Sequence, residues 1–176
     1  MAPEQDQMDG VLEQWRRERP EIDADGMALI PRVIRLAHLY TTRMMPVSRS
    51  FGLEAGWLDT LSALRRTGSP YRMSATELAR SVLLTSGGMT NRLDRMEAAG
   101  LVRRRPDPSD RRGVLVELTE HGREVIDAAI EAHLVLYTEL LGRSLSKAEQ
   151  QTFVQLLRKQ AAALEDDRQE NNGSLA

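Results

Sequence analysis

Between Ser74 and Leu118 the hydrophobic period of the chain changes once, and that change restricts the fold more than any other feature. Ser74-Ala75-Thr76-Glu77 has the form of a capping box. The serine hydroxyl takes an orphan helix N–H, and the glutamate reaches back for another. A short helix therefore opens there and runs to about Val82. Thr85 can cap a second helix, which ends at Gly100. Leu101 to Arg105 and Val114 to Leu118 then read as two strands, the second rich in aliphatic and β-branched residues. The loop between them, Pro106-Asp107-Pro108-Ser109-Asp110-Arg111-Arg112-Gly113, consists of turn formers and charge. Two short helices, a tight turn and a two-stranded ribbon make a winged helix-turn-helix, whose second helix enters the major groove.

Helical patterns flank this lobe. A short helix is expected from Asp9 to Arg19, stopped by Pro20 and carrying Trp15. A long one follows from Gly26 to Ser48, with Met27, Ile30, Val33, Ile34, Ala37, Tyr40 and Met44 at helical spacing. Pro46 and Gly52 mark its exit. A third runs from Glu54 to Arg66 on a Trp57, Leu61, Leu64 stripe. Beyond the strands, Thr119 caps a helix to about Leu141, and Ser146-Lys147-Ala148-Glu149 starts a last helix to about Leu164. The fold class is mainly α with a small β wing. Residues 1–52 form the N-terminal helices, 53–118 the winged helix-turn-helix lobe and 119–165 the C-terminal helices. Residues 166–176 are expected to be a disordered tail.

Composition removes several classes of chemistry. The chain of 176 residues has no cysteine, which excludes disulfides, thiolate metal sites and a cysteine nucleophile. His38, His121 and His133 are scattered without ligand spacing, so no metal and no cofactor are expected. No nucleophile–base pair or phosphate loop points to an enzyme. No apolar run approaches the roughly 18 residues of a membrane span. Met1 to Gly10 is polar and acidic, unlike a signal peptide, so a cytoplasmic location is expected. The net charge of −2 hides an uneven distribution. Residues 1–64 hold 7 basic and 10 acidic side chains, 65–112 hold 11 and 5, and 113–176 hold 6 and 11. A basic centre of that kind suits a polyanion although the whole chain is mildly acidic.

On the second helix of the motif, Met89, Leu93 and Met96 fall within about 60° of one another at 100° per residue, which makes them the buried face. Gly87, Gly88, Thr90, Asn91, Asp94 and Arg95 lie away from it. Ser86, Gly87 and Gly88 stand at the N-terminal end, where the glycines let the backbone approach DNA closely. The candidate DNA contacts are Ser86, Gly87, Gly88, Thr90, Asn91 and Arg95, joined by Asp110, Arg111 and Arg112 of the wing. A flat guanidinium suits a narrow minor groove, and Asp110 would hold an arginine in place rather than meet phosphate.

The runs Leu78-Ala79, Ser86-Gly87-Gly88-Met89-Thr90-Asn91-Arg92-Leu93-Asp94-Arg95, Gly100-Leu101-Val102, Asp107-Pro108-Ser109-Asp110-Arg111-Arg112 and Leu118-Thr119-Glu120-His121-Gly122 resemble the MarR family of bacterial transcription regulators. The resemblance covers about Leu53 to Ile126. It implies a homodimer on double-stranded DNA at a pseudo-palindromic operator, usually as a repressor, with the flanking helices as dimerisation arms. The extra first helix with Trp15, and Ser69-Pro70-Tyr71 through Met89-Thr90-Asn91-Arg92, resemble the urate-responsive PecS-like branch. That branch implies an effector site for urate or a related purine at Trp15, Asp59, Arg92 and Arg104.

The helical wheel bears on two of these residues directly. Asp59 lies about 160° from Leu61 and so outside its helix's core stripe. Arg92 lies about 60° from the centre of the buried face, better aimed inward than at base edges. A half-buried arginine calls for an anion, and urate offers planar acceptor edges to a guanidinium. Three alternatives remain at this level: an ion-pair cluster of Asp59 with Arg92 or Arg104, a regulator answering phenolic compounds or antibiotics, and a constitutive DNA-binding protein without effector.

Overall fold

The computed structural model describes residues 5–108, 110 and 113–173, with side chains described as far as Glu165. Its contacts divide the chain into two units, Pro3–Leu134 and Val135–Ala176. In the first, α1 (Gln7–Glu18) is opened by Asp6, whose carboxylate accepts the Met8 and Asp9 N–H groups. Arg32 of α2 (Gly26–Ser50) reaches back to Asp6 at 2.6 Å and Asp9 at 2.7 Å, which ties α1 to α2. The lobe follows: α3 (Trp57–Arg66), β1 (Arg72–Ser74), α4 (Ala75–Ser81), α5 (Ser86–Ala98), β2 (Val102–Pro106) and β3 (Val114–Leu118). α6 (Glu120–Gly142) begins in the first unit and ends in the second, which also holds α7 (Lys147–Gly173). No described helix is long and apolar enough to cross a membrane.

The predicted winged helix-turn-helix is present. Ser74 and Glu77 form the capping box of α4, and the Thr85 hydroxyl accepts the Gly88 N–H at 3.2 Å to cap α5. The three strands are antiparallel in the order β1-β3-β2, with Val116 opposite both Met73 and Arg104. One core holds these pieces together. Leu61 and Leu64 of α3, Leu78 of α4, Met89, Leu93 and Met96 of α5, Val102 and Val116 of the wing and Ile126 of α6 are all almost wholly removed from water. Burial of each such side chain is worth about 1.5–3 kcal/mol.

The entry to α6 is fixed by backbone contact. Thr119 donates its N–H to the Leu101 carbonyl at 3.1 Å and its hydroxyl to the Gly100 carbonyl at 2.6 Å. The same hydroxyl accepts the Gly122 N–H at 2.9 Å, capping the helix. Gly122 is thereby pressed against Leu101 so closely that a β-carbon would overlap the Leu101 carbonyl oxygen.

Four expectations about the elements need correction. The third helix begins at Trp57 rather than Glu54, because Gly56 takes a left-handed φ of 76° as its N-cap, a conformation a helix interior cannot hold. The long helix passes through Pro46 to Ser50. Its last turn is held by tertiary contact: buried Ser48 lies 3.0 Å from Nε2 of buried His133, and the chain turns only at Gly52 with a φ of 71°. Strand β1 was not expected, since three residues are too few to display a period of two. The tail expected to be disordered from 166 is helical to Gly173. Glu, Gln and Arg are good helix formers, and proline is absent after residue 146. In α2 the apolar stripe is also far from covered, with Ile30 53% and Ile34 65% exposed.

Gly122→Ala tests the α6 junction by the sign of its effect. Helix propensity alone favours alanine by about 1 kcal/mol, whereas the overlap with Leu101 predicts a loss of about 1–3 kcal/mol. Urea unfolding of the variant is expected to give the loss, with a lower midpoint and an unchanged slope.

Candidate nucleic-acid interface and anion site

Burial of Met89, Leu93 and Met96 leaves the other side of α5 open. Ser86, Gly87, Gly88, Thr90, Asn91, Asp94 and Arg95 are all exposed. The Thr90 hydroxyl donates to the Ser86 carbonyl at 3.0 Å, so it is held against its own helix. Arg95 forms an ion pair with Glu54, which the sequence had not placed near it. The first turn of α5 carries no acidic residue, so its exposed N–H groups and dipole keep their positive character.

The wing has a short two-stranded stem, β2 paired with β3. Asp107 and Gly113 are joined by an N–H to carbonyl bond of 3.0 Å, and the Gly113 N–H donates to the Asp110 carbonyl at 2.8 Å. Asp110 is exposed. Arg111 and Arg112, assigned to the minor groove from sequence, lie outside the described residues. The stem has its own charge pattern. Glu117 of β3 receives two bonds from Arg103, at 3.2 and 2.6 Å, and lies 3.2 Å from Arg105. These cations hold its carboxyl below the usual carboxylate range, Arg103 most strongly. Glu117 therefore neutralises part of the basic stem, a role its place in an aliphatic strand did not announce.

The four residues of the expected effector site are not all drawn together. Arg92 is half-buried between α5 and α3. One terminal nitrogen donates to the Gly56 carbonyl at 3.0 Å and to the Thr60 hydroxyl at 3.1 Å. Both acceptors are neutral. Burial lowers the Arg92 pKa from its ordinary value, and the field of Asp59 partly restores it. Asp59 is exposed and acts on Arg92 through space, as it does on His133, whose pKa burial also lowers. A β-carbon on Gly56 would overlap the Arg92 guanidinium, so the glycine is what gives that group its seat.

Arg104 has a different setting. Its backbone N–H donates to Glu97 Oε1 at 2.8 Å, its Nε to Glu97 Oε2 at 2.8 Å, and a terminal nitrogen to Asp94 Oδ1 at 2.6 Å. These contacts raise its pKa and, led by the backbone N–H of Arg104, lower that of Glu97. Trp15 is 42% exposed on α1. The structure thus associates Asp59 with Arg92, and gives Arg104 to the acidic side chains of α5. Sequence reading missed Gly56 and Thr60 as the seat of Arg92, and Glu97 as the partner of Arg104. Only Glu97 left a signal, as an acid three residues after Asp94 on one helix face.

Residues 51–113 match a family model described as MarR family. The chain is 36% identical over 124 residues to the HTH-type transcriptional regulator PecS of Dickeya dadantii (strain 3937), across 70% of this chain and 75% of that protein. It is similar in structure to AbsC, a MarR family transcriptional regulator from Streptomyces coelicolor, with a TM-score of 0.74 and 25% identity over 83% of this chain and 99% of that one. A second neighbour is Sco3205, a MarR family transcriptional regulator from the same organism in complex with DNA. Its TM-score is 0.73 at 25% identity, over 81% of this chain and 89% of that one.

The seat of Arg92 can be measured by a double-mutant cycle of Thr60→Val and Arg92→Met. A hydrogen bond to a charged group is worth about 1.5–3 kcal/mol, so thermal or urea unfolding is expected to give a coupling of that sign and order. Additive effects would mean that the hydroxyl does not hold the guanidinium.

Proposed function

The chain belongs to the MarR family of DNA-binding transcriptional regulators, and on that premise we propose that it is a dimeric repressor released from its operator by an anionic purine such as urate. Each protomer lays α5 in a major groove. Thr90, Asn91 and Arg95 meet or orient base edges, while Ser86, Gly87 and Gly88 bring backbone N–H groups toward phosphate. Arg111 and Arg112, set by Asp110, enter the adjacent minor groove. Two protomers reach successive grooves about one helical turn, roughly 10 bp, apart on a pseudo-palindrome.

Pairing of two copies is supported by uncovered apolar side chains. In the first unit, Leu29, Ile30, Val33, Ile34 and Leu39 of α2 are exposed. In the second, Val135, Leu156, Leu157 and Leu164 are exposed. Apolar surface gathered on a few helices is a mark of association rather than of a monomer's skin.

The observation that carries the effector reading is the setting of Arg92. It is a half-buried cation that donates to a carbonyl and a hydroxyl, and among the described residues its counter-charge is the field of Asp59. A planar anion would gain a charge-assisted contact there at little cost to the existing seat. Urate, an anion near neutral pH, has acceptor edges of that shape, and Trp15 offers an exposed ring for stacking. Ligand and DNA then oppose each other through α5, and the coupling is reciprocal. A second reading is favoured by the Arg104 ion pairs. If Arg104 stays with Glu97 and Asp94, Arg92 alone suits a phenolic or simple carboxylate ligand.

Both halves can be tested by gel shift on the DNA upstream of the protein's own gene. Arg112→Ala is expected to weaken binding to all sequences and to lower the salt slope by about 1; an unchanged curve would remove the wing tip from the interface. Urate is expected to release wild-type protein where a neutral purine does not. Arg92→Ala is expected to keep the fold and shift the urate midpoint upward by about tenfold or more. Release at the wild-type midpoint would rule out Arg92 as a ligand.

A further inference from the structure

Arg104 sits on β2, an edge strand of the sheet, and its N–H points away from β3 toward α5. Glu97 closes that edge by accepting both this N–H and the side-chain Nε. The remaining end of the guanidinium lies on Asp94, one turn earlier on α5 and 57% exposed on the side chain. Asp94 flanks Arg95 and lies one turn from Asn91, so its carboxylate shares the surface offered to DNA. Left alone, that charge would repel phosphate. Arg104 cancels it.

We infer that Asp94, Glu97 and Arg104 form a charge latch that fixes the wing to the recognition helix and masks Asp94 from DNA, and that an anionic effector opens it by drawing Arg104 away. The second half rests on the proposed effector response; the first does not. When Arg104 leaves, two carboxylates three residues apart on one helix face lose their shared cation. The wing edge loses its tie to α5, and Asp94 presents an uncompensated negative charge to the backbone of the operator. Glu97 is a positioning residue in this scheme, and Asp94 converts ligand binding into release.

The test uses the full-length protein and its operator duplex. For Asp94→Asn, operator affinity without urate sets the baseline, and urate binding to free protein, read by calorimetry, is expected to be no weaker than wild type. The ratio of operator Kd with and without saturating urate is expected to fall by about tenfold. A wild-type ratio in Asp94→Asn, or a loss of urate affinity that accounts for the smaller ratio, overturns the effector half of the latch. If wild-type protein takes up no urate, the effector reading itself has failed, and the latch is judged without ligand. Glu97→Ala is then expected to speed hydrogen exchange of the Arg104 amide and weaken operator binding by about tenfold, while Glu97→Gln, which can still accept the N–H, is expected to restore much of both. Unchanged exchange and affinity in Glu97→Ala overturns the latch.

Discussion

Met89, Leu93 and Met96 lie on one stripe of α5, and their removal from water sets the rotation of that helix about its axis. Once the stripe faces Leu61, Leu78 and Val116, the remaining positions have no freedom of assignment. Thr90, Asn91, Asp94 and Arg95 must face out, and Arg92 must lie at the edge of the buried face. A wheel turned by one residue, about 100°, would put Arg92 and Arg95, or in the other direction Asp94 and Glu97, into the core and turn the methionines away from it. Apolar burial here does more than stabilise the lobe. It decides which side chains can meet DNA and which one is left at the seam with α3.

The α5 stripe was legible because helical burial leaves a 3.6-residue period in the sequence, and caps leave Ser, Thr and Glu at fixed offsets. For the same reason Ser74, Thr85 and Ser146 marked helix starts that the structure contains within a residue. Features set by long-range contact left no such trace. Pro46 reads as a stop, yet the packing of Ser48 on His133 carries the helix past it. Gly56 reads as part of the third helix, and only the fold reveals that it caps that helix and that its missing side chain is space for Arg92. The tail beyond Leu164 reads as disorder because it is polar, but polarity without proline or early glycine does not stop a helix.

Ion pairs were the least legible part. The sequence places 11 arginines between 65 and 112, and their partners lie far from them in order or on other elements. Arg95 meets Glu54, and both Arg103 and Arg105 meet Glu117. Arg104 meets two acids of α5. Residue type alone made Arg92 and Arg104 equivalent. Geometry separates them: one guanidinium has neutral acceptors and the other a pair of carboxylates.

That difference gives the two arginines an order in the proposed response. An anion approaching Arg92 displaces no carboxylate and meets a cation whose desolvation has already been met by the fold. An anion approaching Arg104 must compete with Glu97 and Asp94, each already bonded to it in close geometry. Binding free energy gained at Arg92 is therefore what becomes available to break the Arg104 contacts. A ligand with one acceptor edge can fill the first site and leave the latch closed. A ligand with acceptor edges on both sides can fill the first and pull on the second, and only differential contact of this kind shifts an equilibrium. The shape of the effector, more than its charge alone, then determines whether occupancy is converted into release.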